Sequence, residues 1–483
     1  MKNNPVTFNK DDLMNRLIAS SLAAALLIGA GVLAHPQTSG AVEVMSTPTG
    51  VLVYDKAKAQ DGYTLISPMM GTSSYLLDME GNIVHEWKTA GRPGLYAELL
   101  PNGNLLRGLR YDNKVPFGGM SGCLQEIDWD GNVVWEHKIY NDKQLSHHAF
   151  DRMPNGNTLI VAWEHKTYDE AVAKGRKPGT LPKPGTDTGH KPNYDGLWAD
   201  YIVEVDPQGN EVWSWHAWDH IGTGKDQFDI NYRLPIKNYY GDSDWMHINS
   251  VRYNPETNQV LISSRNFGEV FIVNHDKSGK VVWRFGNPSS HGEGAMPSFC
   301  SDGSQILFGN HDATWIGNDK VALFDNGWQR PQANRSRAMI VDIKTNKIEW
   351  EYAAKNLNSF YSAYQGSTQH LPNGNTLITS TANGHIFEVT KDKEVVWEYV
   401  SPFVRMGDVR PMLSEADAIA DPSGLEDINA MFNMVHRAFR YTADYPGLKG
   451  KDLSHKIAVF PDAPKWYEIF DNAFLYKTTL KKK

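Results

Sequence analysis

Apolar and polar residues alternate along this chain in short runs, and the runs recur. Six hairpins share one pattern, in which an acid, a turn built on glycine or asparagine, an aliphatic pair and a tryptophan follow one another. They read YLLDMEGNIVHEW up to Trp87, LQEIDWDGNVVW up to Trp135, IVEVDPQGNEVW up to Trp213, FIVNHDKSGKVVW up to Trp283, MIVDIKTNKIEW up to Trp350 and IFEVTKDKEVVW up to Trp397. Alternation with a period of two predicts half-buried strands, and glycine or asparagine at the bend supplies the positive φ that a tight hairpin needs.

A second phrase lies between the tryptophans: YAELLPNGNLLRGLR from Tyr96, HAFDRMPNGNTLIVAW from His148, HINSVRYNPETNQVLISSR from His247, HDATWIGNDKVALFDNG from His311 and GSTQHLPNGNTLITS from Gly366. Each joins two apolar strands, so every unit holds about four strands, the repeat of a β-propeller. Six tryptophan hairpins predict an all-β, six-bladed propeller. A ring has to close, so Gly62–Pro68 is expected to share a blade with material after Trp397.

The ring is assigned to residues 42–450, with 1–41 before it and an irregular C-terminal tail, 451–483, after it. Residues 42–60 read as an extended lead-in. His165–Asp200, rich in proline, glycine and lysine, reads as a long loop. Trp218–Trp245, with Phe228, Tyr232, Tyr239 and Tyr240, reads as an aromatic excursion that could wall a pocket for a flat ligand. Residues 401–431 lack alternation and read as loop and short helix.

Composition narrows the partners. The apolar fraction of 41% and charged fraction of 22% are ordinary for a globular protein, and a net charge of -8 argues against nucleic acid or an anionic membrane surface. Any anionic ligand must be held by a local site. Lys2, Lys10 and Arg16 precede the apolar run Leu17–Ala34 and the small residues Ser39, Gly40 and Ala41, the layout of a secretory signal that could also serve as an uncleaved anchor. The expectation is export to the periplasm. Cys123 and Cys300 are expected to be free, buried thiols. The oligomeric state is left open.

The candidate chemistry comes from register. His148 and His311 stand six residues before Pro154 and Gly317 of their turns, and His247 takes the same place with one extra residue in its turn. Equivalent positions in successive blades are related by rotation about the propeller axis, so these three imidazoles should converge at one mouth of the channel. Tyr96 takes nearly the same place one segment earlier. His147 and His370 lie outside this register and read as structural. Arg265, at the end of the strand after His247, adds a fork of donors suited to sulfate, phosphate or carboxylate. Three histidines alone could hold a transition metal; histidines with an arginine around an anion need none. Near the C-terminus, His436 comes with Arg437, Arg440 and Tyr441, and His436 and Tyr96 are candidates for substrate contact.

At these residues the chain resembles the bacterial arylsulfate sulfotransferase family. The resemblance rests on DWMHINSVRYN with LISSRN, NHDATWIGNDKVALFDNG, the PNGN hairpins and NMVHRAFRY. It implies an exported six-bladed propeller that needs no PAPS cofactor and moves a sulfuryl group from an aryl sulfate to a phenol. It further implies that His311 is the nucleophile, that His247 and Arg265 hold the sulfate oxygens and that His148 assists. The family's short-range disulfide has no counterpart, since Cys123 and Cys300 are far apart in sequence. A non-catalytic propeller that binds a ligand or partner, and a metal-dependent hydrolase or lyase, are the alternative readings of the same residues.

Overall fold

Six antiparallel sheets, five of four strands and one of five, follow one another along the chain in a computed structural model, which describes residues 49–459 apart from 112–113, 190–193, 233–242, 299, 332, 357–358 and 404–432. The expected signal or anchor at 1–41, and residues 404–431 of the expected loop and helix, lie outside the described residues. So do Tyr239, Tyr240 and the tail from 460 onward.

Taken from the axis outward, blade 1 consists of Val435–Tyr441, Tyr63–Pro68, Ser73–Leu77 and Ile83–Lys88. Blade 2 consists of Pro93–Leu99, Leu105–Arg110, Gly122–Ile127 and Val133–Lys138. Blade 3 has Gln144–Arg152, Thr158–Lys166, Leu197–Val205 and Glu211–His216, and blade 4 has Ile248–Asn254, Gln259–Ser264, Glu269–Asn274 and Val281–Phe285. Blade 5 has His311–Ile316, Lys320–Asp325, Arg337–Asp342 and Lys347–Tyr352. Blade 6 has Ser367–His370, Thr376–Ser380, His385–Val389 and Val395–Val400.

The expected closure is present: Tyr63 pairs with Tyr441 and Pro68 with Val435, so the innermost strand of blade 1 comes from the C-terminal side. The expected lead-in is more than that. Gly50–Tyr54 adds a fifth strand outside Val395–Val400, and Trp397 and Val396 are fully buried beneath it. An outer edge left open there would offer unpaired backbone groups for association.

The recurrent phrase now has physical reasons. Its acid caps the hairpin, as when Asp128 Oδ1 accepts the backbone N–H groups of Asp130 at 3.0 Å and Asn132 at 2.8 Å. Its tryptophan latches neighbouring blades. The indole N–H of Trp135 donates to Pro207 O at 3.0 Å, Trp213 to Asp276 O at 2.9 Å, Trp283 to Asn346 Oδ1 at 2.7 Å, Trp350 to Lys391 O at 2.9 Å and Trp397 to Met79 O at 2.9 Å. Each acceptor sits in or beside the outer turn of the next blade. Apolar faces fill the wedge between blades, as where Leu261, Val270 and Ile272 of blade 4 pack on Val321, Leu323 and Met339 of blade 5. Each such side chain contributes roughly 1.5–3 kcal/mol on burial.

Three expectations need correction. The His165–Asp200 loop is shorter than its sequence suggested: Lys166 still belongs to a strand, Leu197 begins the next, and Thr167 opens a short helix, Tyr168–Ala173, through a reciprocal cap with Glu170. The described aromatics of the Trp218–Trp245 excursion do not wall a pocket. Phe228, Tyr232 and Trp245 are buried against Phe267, and Phe228 also against Phe271, as ordinary core. Both cysteines are free, but only Cys123 is buried; Cys300 is exposed on a loop.

Candidate active site

His148 lies mid-way along the inner strand of blade 3, His247 just before that of blade 4 and His311 at the start of that of blade 5, each at or beside a slip in the strand pairing. His148 and His247 adopt positive φ, 50° and 54°, whereas in blade 5 the equivalent residue is Asp312 at 51° and not His311. The register therefore brings the three imidazoles together without making them equivalent. Left-handed backbone at three non-glycine residues is strain that the surrounding sheet must hold.

The rings meet. His148 and His247 pack edge to face with centroids 4.6 Å apart. Burial, followed by the charges of His247, His147, His436 and His311, holds the His148 pKa well below the usual imidazole value. Burial and then the Arg265 charge do the same for His311. His311 is 1% exposed. A neutral ring is what that environment favours.

Which nitrogen of His311 carries its proton follows from its neighbours. Nδ1 lies 2.9 Å from Gly309 O and 2.8 Å from Asn326 Oδ1. The amide nitrogen of Asn326 donates to Ser362 O at 2.8 Å and Gln365 O at 2.6 Å, which turns its oxygen toward the ring. Two acceptors at Nδ1 require a hydrogen there and leave the lone pair on Nε2. Asp312, the next residue, does not orient this ring: it faces Arg437 Nη1 at 3.1 Å and the Thr368 N–H at 3.2 Å.

A carboxylate stands behind His247 instead. Its Nδ1 lies 2.5 Å from Asp244 Oδ2, and both residues are buried. Asp200 accepts the backbone N–H of His247 at 3.1 Å and of Ile248 at 2.8 Å, fixing the bulge. His147, expected to be structural, stacks on Trp163 at 3.7 Å and also touches the site, its Nδ1 being 2.8 Å from His148 Nδ1. Its Nε2 is 3.3 Å from Asp200 Oδ1, close but without the alignment of a hydrogen bond. Gly119 lies against the His148 ring so tightly that a Cβ there would fall 1.8 Å from Cε1.

Arg265 is tied to His247 through its N–H, which donates to His247 O at 3.1 Å. Its guanidinium lies 4.4 Å above the Trp328 ring and donates to Asn266 Oδ1 at 3.0 Å.

The residues nominated for substrate contact differ in their placement. His436 is fully buried near His148 and His311, and neither ring nitrogen has a hydrogen bond among the described residues. Burial and the adjacent Arg437 charge hold its pKa well below the usual value. Tyr96 is a correction. Its hydroxyl is taken up by the backbone of Phe150, donating to the carbonyl and accepting from the N–H at 3.2 Å each, and burial pushes its pKa up to about 12. It supports the site from behind: its ring carries the Arg437 guanidinium at 4.4 Å. Arg437 itself lies across the channel, donating to Asn249 O at 2.7 Å and facing Asp312.

Sequence reasoning missed Asn326, Asp244, Asp200 and Gly119. The DNG after the Lys320–Asp325 strand was a signal for the first, since an asparagine at a strand end beside a turn glycine is free to bond across the turn. The arrangement offers one nitrogen with a free lone pair, a charged fork and further imidazoles close together. Among the described residues no three His, Cys, Asp or Glu side chains are disposed to hold a metal ion.

Comparison with known proteins agrees with this chemistry. Residues 183–405 match the family model of the arylsulfotransferases (ASST). The chain is 22% identical over 342 residues to an arylsulfate sulfotransferase, AssT, of Escherichia coli O6:H1, a match that covers 59% of this chain and 53%, about half, of that protein. Among solved structures, a Bacteroides caccae protein of unknown function overlaps 71% of this chain and 94% of its own at 11% identity and a TM-score of 0.43. A Staphylococcus aureus virginiamycin B lyase overlaps 73% and 83% at 12% identity and a TM-score of 0.37. Overlaps this loose do not bear on function.

Proposed function

We propose that this chain, whose residues 183–405 match the arylsulfotransferase family model, transfers a sulfuryl group from an aryl sulfate to a phenol through a covalent intermediate on His311, without PAPS. The observation that carries the reading is the pinned Nδ1 of His311, held by Gly309 and Asn326, which leaves Nε2 as the lone-pair nitrogen of a buried, neutral ring.

In the first half-reaction Nε2 attacks sulfur, the bond from sulfur to the aryl oxygen breaks, and the phenol leaves after taking a proton. In the second, an incoming phenol loses its proton and its oxygen attacks the same sulfur, returning the electron pair to Nε2. Arg265 faces the charge on the sulfuryl oxygens, the electrostatic contribution that usually dominates such transfers. His247 and His148 flank the reacting atoms, and His436 contributes a further polar edge. The periplasm is the proposed compartment, a reading supported by the signal-like residues before Ala41, with the chain either released or anchored at its N-terminus.

The test is a purified-protein assay with a chromogenic aryl sulfate and a phenol acceptor. The expected result is a ping-pong pattern, a burst of phenol on the order of one per chain without acceptor, and an acid-labile adduct on the peptide containing His311. Intersecting lines with neither burst nor adduct would replace the scheme with direct transfer.

A further inference from the structure

We propose that Asp244 makes His247 the proton carrier of this site, so that an aryl sulfate binds together with one proton. The inference rests on the transfer reading and assigns a role that reading leaves open between two histidines.

A sulfate monoester offers only acceptors to its surroundings. His311 presents a lone pair at Nε2, as its nucleophilic role requires. His247 gives its Nδ1 hydrogen to Asp244 at 2.5 Å, so in the neutral state its Nε2 is also a lone pair. A sulfuryl oxygen meeting that edge would meet like with like. Only a protonated His247 donates to the substrate.

The groups facing His247 decide where such a proton lodges. On its own segment stands Asp244. From the packed elements come His148, with centroids 4.6 Å away, then His147, His311 and Arg265, the last bonded through its backbone to His247 O. Asp200 reaches the backbone of His247 and approaches His147. His247 has a carboxylate at 2.5 Å from its ring nitrogen, whereas the ring of His147 lies 3.3 Å from Asp200 and is taken up by Trp163 and His148. The His148 Nδ1 faces another imidazole, and the nearest charge to His436 is the cationic Arg437. An arriving anion favours a proton on a ring that it touches.

The proton then has a use. As the bond from sulfur to the aryl oxygen breaks, the leaving oxygen takes the hydrogen from His247 Nε2 and departs as phenol. The incoming phenol returns a hydrogen to that nitrogen as its oxygen bonds to sulfur and the bond from sulfur to His311 breaks. Asp244 touches neither substrate; it is a positioning residue that stabilises the imidazolium, as carboxylates do behind other catalytic histidines.

The experiment uses an aryl sulfonate, whose carbon–sulfur bond cannot be transferred, titrated into the full chain by calorimetry in buffers of different ionisation enthalpy. Near neutral pH the expected result is net uptake of protons on sulfonate binding, with affinity falling as pH rises. Asp244→Asn, nearly isosteric, should bind the sulfonate more weakly and take up no proton, and His247→Gln should do the same should the first variant fail to fold. His148→Gln should keep the uptake. Wild-type binding without uptake, uptake that survives Asp244→Asn, uptake lost in His148→Gln, or no sulfonate binding at all would each overturn the proposal. Sulfonate binding with uptake, in a preparation that never turns over an aryl sulfate, would instead remove the transfer reading and leave this one standing.

Discussion

Arg437 and Asp312 meet across the propeller channel, Nη1 to Oδ1 at 3.1 Å, from blades 1 and 5 with blade 6 between them. The same guanidinium donates to Asn249 O in blade 4 and lies on the Tyr96 ring of blade 2. A fully buried arginine thus fastens four blades behind the histidines. Removing one member of such a pair leaves an uncompensated charge, so Arg437→Met should destabilise the fold by about 3–5 kcal/mol. The double variant Arg437→Met with Asp312→Asn should recover part of that loss. Denaturant unfolding of the two variants checks both statements.

Asn326→Leu keeps the volume of the side chain and removes one of the two acceptors that hold His311 Nδ1. The ring is then free to change tautomer, so the phenol burst should slow by roughly ten- to a hundredfold, within the usual reach of a positioned acid or base, with little change in donor KM. The carbonyls of Ser362 and Gln365 lose their donor too, and stability should fall by about 1–3 kcal/mol. A burst at wild-type rate would show that Gly309 alone sets the tautomer.

Gly119→Ala is a test of His148 made without touching it. The added methyl would occupy space held by the imidazole, and φ at this residue is 95°, so both ring and backbone must move. Transfer should fall at least about tenfold while the circular dichroism stays that of a folded β protein, at a stability cost of about 1–3 kcal/mol. Full activity would mean that the His148 position is immaterial.

The depressed pKa of His311 has a definite sign in kinetics. A histidine held neutral below its ordinary value stays nucleophilic in mild acid, where an unperturbed ring would be half protonated near pH 6.5. Single-turnover rates with a donor whose phenol is acidic enough to leave without a proton should therefore stay flat from pH ~7.5 down to pH ~5.5. A halving near pH 6.5 would contradict the environment described for His311.

The ring was legible in the sequence because its determinants are local. Asp128 and its turn sit within a few residues of one another, and the Trp135 hairpin declares itself by alternation alone. Convergence of His148, His247 and His311 was legible too, since a repeat carries equivalent positions to the axis. What one position does with its side chain is a tertiary matter. Tyr96 shares the register, yet its hydroxyl is committed to Phe150, and Asp312 follows the nucleophile in sequence while serving Arg437. Asn326 and Asp244 act on rings whose orientation no alternation pattern encodes. Phe228, Tyr232 and Trp245 show the same limit from the other side, because aromatic residues on an excursion look alike whether they face a ligand or Phe267.

The innermost strand of blade 1, Val435–Tyr441, comes from the far end of the chain, and it brings His436 and Arg437 with it. A ribosome releases every other blade strand before this one. Until it emerges, blade 1 has no inner strand and Asp312 no guanidinium. A product that stops short of residue 435 would carry His311, Arg265, His148 and His247 and still lack the strand that brings His436 and Arg437 to them. The ring thus closes in one step, when residues 435–441 emerge, and copies that end before them are left with an unfinished first blade.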